Sequence, residues 1–218
     1  MDLKEAITKR HTVRKFLNKQ IEDDKISQIE TRIDELNKTH KLSMKLITND
    51  KHGLAAGWKL IAKNALNYII LAGQNSEATR EAIGYASSDL MLYIQTLGLN
   101  SWWIGGMYSK KVKALTGGAH MVGILVIGYG ETQGHPHKSK TAEDVATYEG
   151  NPPQWFKQGV EAALLAPTAV NRQGFQIKGA ENKVSITYKK VPFDMEDLGI
   201  VKHHFELAAG KDNFTFAS

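Results

Sequence analysis

Apolar residues recur along the chain at two periods, about 3.6 and about 2 residues, and each period marks an element. Leu3, Ala6 and Ile7 share one helical face, and Asp2 with Glu5 has the spacing of a capping box, so a short helix should end near Lys9. The stripe Ile26, Ile29, Ile33 and Leu36 predicts a second helix from Asp23 or Asp24. Leu42, Met44 and Leu46 alternate as in a half-buried strand, and Leu54 to Ala62 reads as a short helix. Asn67 to Ala72 is an apolar run of strand length closed by Gly73. The longest helix spans Glu77 to Leu97, with Ser76 as cap, Ile83, Ala86, Leu90, Ile94 and Leu97 as its stripe, and Gly98 as its stop.

Further on, a short helix begins near Ser109, and Val122 to Tyr129 is a buried strand. Gly130 to Gly150 is polar and rich in Gly, Lys and His, which predicts a long loop. Pro152-Pro153 opens a helix over Trp155 to Leu165, as proline does in a first helical turn. Phe175 to Ile177 and Val184 to Tyr188 form a hairpin around Gly179 to Asn182. A helix over Asp194 to Ala209 and a strand at Phe214 to Phe216 complete an α+β pattern, an antiparallel sheet flanked by helices.

The order helix, connector, strand, helix occurs twice. Ile26 to Ile47 can be laid on Phe156 to Ile177 without a gap, and Asp89 to Leu92 on His204 to Leu207. We therefore expect an internal duplication, a first half over residues 1–150 and a shorter second half over residues 151–218. A binding site would then sit at the seam between the halves.

Composition narrows the function classes. The chain has 218 residues, 42% hydrophobic and 23% charged, as in an ordinary globular protein. With zero cysteines, disulfides and thiolate chemistry drop out. The apolar runs fall short of the ~20 residues that span a bilayer, so no membrane is expected. Met1 to Glu5 carries both signs of charge without an apolar stretch behind it, which makes the cytoplasm the expected compartment. A net charge of +5 invites a nucleic-acid reading, but the 28 Lys and Arg occur singly or in pairs such as Lys110-Lys111. That spread describes a solvated surface, with a few cations left to serve a phosphate group.

Two segments carry chemistry. In Pro167-Thr168-Ala169-Val170-Asn171-Arg172-Gln173, proline forces a turn and Ala169 lets a flat ligand approach. Asn171 and Gln173 supply donors and acceptors for the edge of a heterocycle. An ordinary helix-to-strand loop with capping residues would look the same. In Arg10-His11-Thr12-Val13-Arg14, two arginines beside a helix end suit a phosphate clamp, and equally a solvated basic turn.

Together these segments resemble the FMN-binding signatures of the nitroreductase superfamily. Leu97 to Gly106 resembles that family's glycine-bounded segment after its long central helix. Ile127-Gly128-Tyr129-Gly130, with Lys138 and Lys140 downstream, resembles its strand exit and basic phosphate contacts. The four blocks cover most of the chain. The resemblance implies one FMN, reduced by NAD(P)H and reoxidised in ping-pong fashion by an electron-poor acceptor such as a nitroaromatic, quinone or enone. It implies that Arg10, Arg14 and one or both of Lys138 and Lys140 hold the phosphate, with His11 and Thr12 near the ribityl chain or ring. Pro167, Thr168, Ala169 and Asn171 would line the isoalloxazine, with Gln173 closing the motif. Ile104, Gly105 and Gly106 would approach its other side. No catalytic acid or base is required, because the flavin carries the redox chemistry.

The order of the blocks departs from the family. Its Pro-Ser/Thr block ordinarily precedes the central helix, where this chain has Asn37 to Ser43 and no such motif. Ordinary members are homodimers that share each FMN site between subunits. A duplicated chain would bring both motifs into one polypeptide, a monomeric pseudo-dimer or at most a weak homodimer with one site. Gly174 and Phe175 stand where the family often has Pro and Trp.

Other features have plainer readings. His135 and His137 lie in a polar loop without a matching carboxylate, and His203 and His204 point in different directions on a helix, so no metal is expected. Trp102 and Trp103 can pack or stack a substrate. Two rival functions remain: a flavin-binding storage or sensing protein without turnover, and a basic interaction protein with relic motifs.

Overall fold

Burial along the strands already separates two sheets in the computed structural model, which describes residues 1–217, apart from the side chains of Lys59 and Leu60. Strands β1 (Lys45–Ile47), β2 (Asn67–Gly73), β3 (Asn100–Gly105) and β4 (His120–Gly128) form an antiparallel sheet in the order β1-β2-β4-β3. Every residue of β2 is buried. Ile69 and Leu71 face one hydrophobic cluster and Tyr68 and Ile70 another, as the two-residue period of a strand demands. Both faces of this sheet are therefore covered.

The second sheet is covered on one face. Its strands β5 (Ala146–Tyr148), β6 (Phe175–Ala180), β7 (Lys183–Tyr188) and β8 (Thr215–Phe216) lie in that order. Along β6, Phe175 and Ile177 are buried and Gln176 and Lys178 exposed. The expected antiparallel pairing holds for β6 and β7 only, since β5 and β8 pair in parallel.

Between the sheets run α3 (Glu77–Thr96) and α7 (Asp194–Ala209), joined by α1 (Leu3–Lys9), α2 (Asp23–His40) and α6 (Gln154–Leu165). The capping box of α1 is formed by Asp2 and Glu5 as expected, and Ser76 caps α3. Where α3 crosses α7, Gly84 lies on the Glu196 carbonyl and Gly199 on the Glu81 carbonyl. A Cβ at either position would overlap the facing backbone. Polar side chains complete the interface. Arg80 binds Glu196 at 2.8 Å and Asp194 at 3.1 Å, Tyr85 donates to Glu206, and the Ser88 hydroxyl sits between His203 and His204 at 2.8 and 2.9 Å.

Several local expectations are corrected. The strand expected from Leu42 begins only at Lys45, because the Asn37 side chain occupies both backbone groups of Met44 at 2.8 and 2.9 Å. The helix expected over Leu54 to Ala62 is one 3-10 segment, Ala56–Leu60, and the helix expected near Ser109 is the single turn α4 (Lys110–Lys113), capped by Ser109. Asn100–Gly105 is a full strand, an edge built from two tryptophans on opposite faces. The expected loop of residues 130–150 contains a helical turn, α5 (Ala142–Val145), capped by Thr141 and Asp144, and then β5. Strand β5 thus precedes Gly150 in sequence yet belongs to the second sheet. No helix among the described residues is long and apolar enough to cross a membrane.

The glycine crossing gives a discriminating test. Alanine favours a helix over glycine by about 1 kcal/mol, so Gly84→Ala or Gly199→Ala would stabilise an unconstrained helix. Here overlap with backbone is expected to destabilise by about 3 kcal/mol. Denaturant unfolding of each variant reads the sign.

Candidate functional site

The arginine segment is positioned by sheet edge and core. Helix α1 stops at Arg10, whose backbone is extended. Thr12 then pairs in parallel with Ser101 of edge strand β3, and the Val13 N–H donates to the Ser101 carbonyl at 3.1 Å. Val13 and Phe16 are buried anchors, and Phe16 pairs with Gly130. The free edge of the first sheet therefore holds Arg10, His11, Thr12 and Arg14 in register. The turn after Gly130 closes over them, and Gly134, at φ +75°, is required there. A Cβ would come within 2.7 Å of the His11 Cβ.

The opposite wall is the loop after α6. Thr168 organises it: its hydroxyl accepts from Gln173 N–H at 3.0 Å and its carbonyl from Asn171 N–H at 2.8 Å. Asn171 donates to the Lys138 carbonyl at 2.7 Å. Val170, Asn171 and Gln173 all have positive φ, of 50°, 53° and 45°. For the β-branched Val170 this is a strained conformation costing about 1–3 kcal/mol, yet its side chain is 86% exposed.

These walls enclose a cleft of about 960 Å³. Arg10, His11, Thr12, Arg14, Gly105, Pro167, Thr168, Ala169 and Asn171 line it, so motifs about 150 residues apart meet across one space. The other expected residues stand elsewhere. Ile104 is buried in the core beneath β3. Gly106 follows the strand, beyond the lining Gly105. Gln173 is buried and braces the loop, donating to the Leu164 carbonyl at 2.8 Å and accepting from Lys140 N–H at 2.8 Å. Lys140 donates its ammonium to the Gln173 carbonyl at 2.7 Å, and Lys138 contributes its carbonyl to Asn171. Those two lysines and Gln173 thus tie residues 138–140 to the loop, while Arg10, Arg14, Lys15 and Arg172 line the cleft.

The sequence reading did not single out Trp58, Ile61, Phe193 or Asp197, which also line the cleft. Phe193 packs edge-on against Trp103, ring centroids 5.8 Å apart, and lies over Gly105, where a side chain would displace it. Among the lining groups Arg10 is electrostatically unusual. Its side chain is buried, its Nε has no hydrogen-bond partner among the described residues, and burial alone pulls its pKa down to about 10. The His11 pKa is lowered by burial and then by Arg10, His137 and His135, so basic side chains gather at this end of the cleft.

Residues 2–209 match the protein family described as "Putative TM nitroreductase". No curated protein matches the chain. Among solved structures, a "putative nitroreductase" of Thermotoga maritima aligns with a TM-score of 0.69 at 21% identity, over 97% of this chain and 85% of that one. Two more, from Desulfovibrio desulfuricans and Exiguobacterium sibiricum, were each crystallised in complex with FMN. They align with TM-scores of 0.56 and 0.53 at 17% and 18% identity. The alignments cover 70% and 68% of this chain and 99% and 98% of theirs. At these identities the likeness is one of fold.

Asp197, in the first turn of α7, fixes the loop to the helix. Its carboxylate accepts from Ala169 N–H at 2.9 and 3.1 Å and from the Tyr188 hydroxyl at 2.7 Å. Burial pushes the carboxyl up to about 6, an effect that these hydrogen bonds only partly offset. Because the folded-state pKa is raised, this group favours folding when protonated, and that contribution is lost as pH rises through about 6. Asp197→Asn is therefore expected to stabilise the protein by roughly 2–3 kcal/mol at pH 8, with the gain fading towards pH 4. Denaturant unfolding of both proteins across that range checks the sign and the window. A pH-independent difference would refute it.

Proposed function

We propose, from the premise that this chain belongs to the nitroreductase family described as "Putative TM nitroreductase", that it is an FMN-dependent oxidoreductase. Its reaction passes electrons from NAD(P)H to a small electron-poor acceptor such as a nitroaromatic, quinone or enone. The observation that carries this reading is Arg10, a buried guanidinium lining the cleft whose Nε has no partner among the described residues. An uncompensated buried charge is costly, and a phosphate monoester offers the counter-charge and the paired acceptors that a guanidinium fork matches.

The remaining lining residues fit the rest of FMN. Arg14 is exposed beside Arg10 in the same segment, 5.5 Å from the Trp102 ring, and would share the phosphate. His11 and Thr12 offer polar atoms for a ribityl chain. Pro167, Thr168 and Ala169 present small groups on a loop braced by Asp197 and Gln173, as a flat ring system requires. Asn171 supplies amide atoms for the ring edge, and Gly105 lines the cleft beneath Phe193, for which its missing side chain makes room. When bound, FMN supplies the redox chemistry, accepting hydride and passing electrons on. The protein binds, orients and shields. The related folds crystallised with FMN support a flavin in this architecture, and a volume of about 960 Å³ leaves room beside it for a second small molecule.

Both walls come from one polypeptide, so the site needs no second subunit. We read α3 with the first sheet and α7 with the second as the two halves of a duplicated unit, a pseudo-dimer. Residues 151–218 carry no arginine block of their own, which argues for one FMN per chain.

The purified protein is expected to be yellow, to release close to one FMN per chain on denaturation, and to oxidise NAD(P)H when an acceptor is present. Arg10→Met should weaken FMN retention at least about 100-fold while raising the melting temperature of the FMN-free protein, because the unpaired charge is gone. Colourless protein that takes up no added FMN would overturn the reading. Full occupancy without acceptor-dependent turnover would make the chain a flavin-binding module instead.

A further inference from the structure

We propose that this chain docks on anionic lipid bilayers through a lysine-rich face formed by residues 51–63 and 107–118. Such docking requires neither bound flavin nor turnover. Along the sequence these lysines stand singly or in a pair, and the fold brings them together. From Lys51 to Ser76 and from Leu97 to Gly130 the chain has six lysines, no arginine and no acidic residue. The other 22 of the 28 Lys and Arg stand against all 23 acids. The two stretches therefore hold a formal charge of +6 and the rest of the chain −1.

Both stretches cover the same outer side of the first sheet. Leu54 pairs with Tyr108, the Ala55 N–H donates to the Met107 carbonyl at 3.1 Å, and the Ser109 N–H to the Gly53 carbonyl at 3.1 Å. Leu54, Ala62, Tyr108 and Val112 pack inward on one hydrophobic cluster. Lys51, Lys110, Lys111 and Lys113 are left exposed, without an ion pair among the described residues. The acids that border the stretches are already engaged. Asp50 accepts from the Tyr68 hydroxyl and the His52 N–H, and Glu131 holds Lys63 at 2.5 Å. Six large hydrophobic side chains stand exposed among the described residues, and three of them, Trp58, Ile61 and Leu115, belong to these stretches.

Lysine beside exposed tryptophan and aliphatic side chains matches a headgroup layer. Ammonium groups on long stems reach the lipid phosphates, apolar tips enter the boundary below them, and tryptophan favours that interface. A nucleic-acid surface favours arginine forks, absent here, and offers no apolar layer to an exposed leucine or isoleucine. A second copy of this face would set like charges against each other. Contact at the headgroup layer needs no spanning helix.

The test is co-sedimentation of the purified full-length chain with lipid vesicles. It is expected to bind vesicles of equal parts phosphatidylcholine and phosphatidylglycerol, to ignore phosphatidylcholine alone, and to release as salt rises. Combining Lys110→Gln, Lys111→Gln and Lys113→Gln should weaken binding about fivefold per lysine, about 100-fold in all. Lys110→Arg, Lys111→Arg and Lys113→Arg together should retain it, which separates charge from any loss of folding. Trp58→Ser with Leu115→Ser leaves the charge intact and should weaken binding about tenfold. Wild-type protein that binds neither vesicle, or both equally, would overturn the proposal. So would a glutamine variant that binds as wild type does, or an unchanged affinity in the Trp58 and Leu115 variant. Tighter binding to duplex DNA than to the mixed vesicles would overturn it in favour of a nucleic-acid face. The flavin content of the same preparations reports separately on the flavoenzyme reading.

Discussion

The close crossing of α3 and α7 is the constraint on which the rest of the structure depends. Two helices can touch backbone to backbone only where neither carries a side chain, and Gly84 and Gly199 meet that condition from opposite sides. The approach draws the two sheets onto one hydrophobic cluster that takes in Ile69 and Leu71 of the first sheet and Phe175 and Ile177 of the second. It also buries polar side chains that must then find partners within the interface. Arg80 with Glu196, and Ser88 with both histidines, are the outcome.

The cleft follows from that packing. Helix α7 begins beside the edge strand β3, so Phe193 and Asp197 reach the space left between the sheet edge and the loop after α6. Each wall is fixed from behind: the arginine segment by pairing with Ser101, the opposite loop by Thr168, Gln173 and Asp197. Binding groups held on rigid supports lose little entropy when a ligand arrives. The cleft therefore combines a fixed geometry with two local energetic costs, a buried cation at Arg10 whose Nε has no partner among the described residues and a left-handed valine at Val170. Such costs concentrate at functional sites, where a ligand can relieve them.

Asp197 shows how stability and site geometry trade against each other. A carboxylate in this buried position is harder to ionise, as its raised pKa of about 6 records. Yet only an acceptor there can hold the Ala169 N–H that faces it. The fold tolerates the cost because the loop it orders is a wall of the cleft.

Local periodicity sufficed for much of this protein. The stripes of α2 and α3, the capping box of α1, the buried run of β2 and the hairpin of β6 and β7 are all properties of neighbouring residues. So are the two motifs whose types suit phosphate and a flat heterocycle, and nine of the fourteen residues expected at the site do line the cleft. What lay beyond the sequence depends on distant partners. Strand β5 exists because β6 offers an edge, and β3 was obscured because its two tryptophans face opposite sides. Lys140 and Gln173 carry the right chemistry for a ligand but are consumed by each other, and no spacing rule could show that. Asp197 reads in sequence as one of several acids suited to a helix start; only its burial against Tyr188 and Ala169 makes it part of the site. Sequence determined which elements form and which chemistry is available. Tertiary packing decided which of those groups remain free to meet a ligand, because burial and partner choice are set by contacts between residues far apart in the chain.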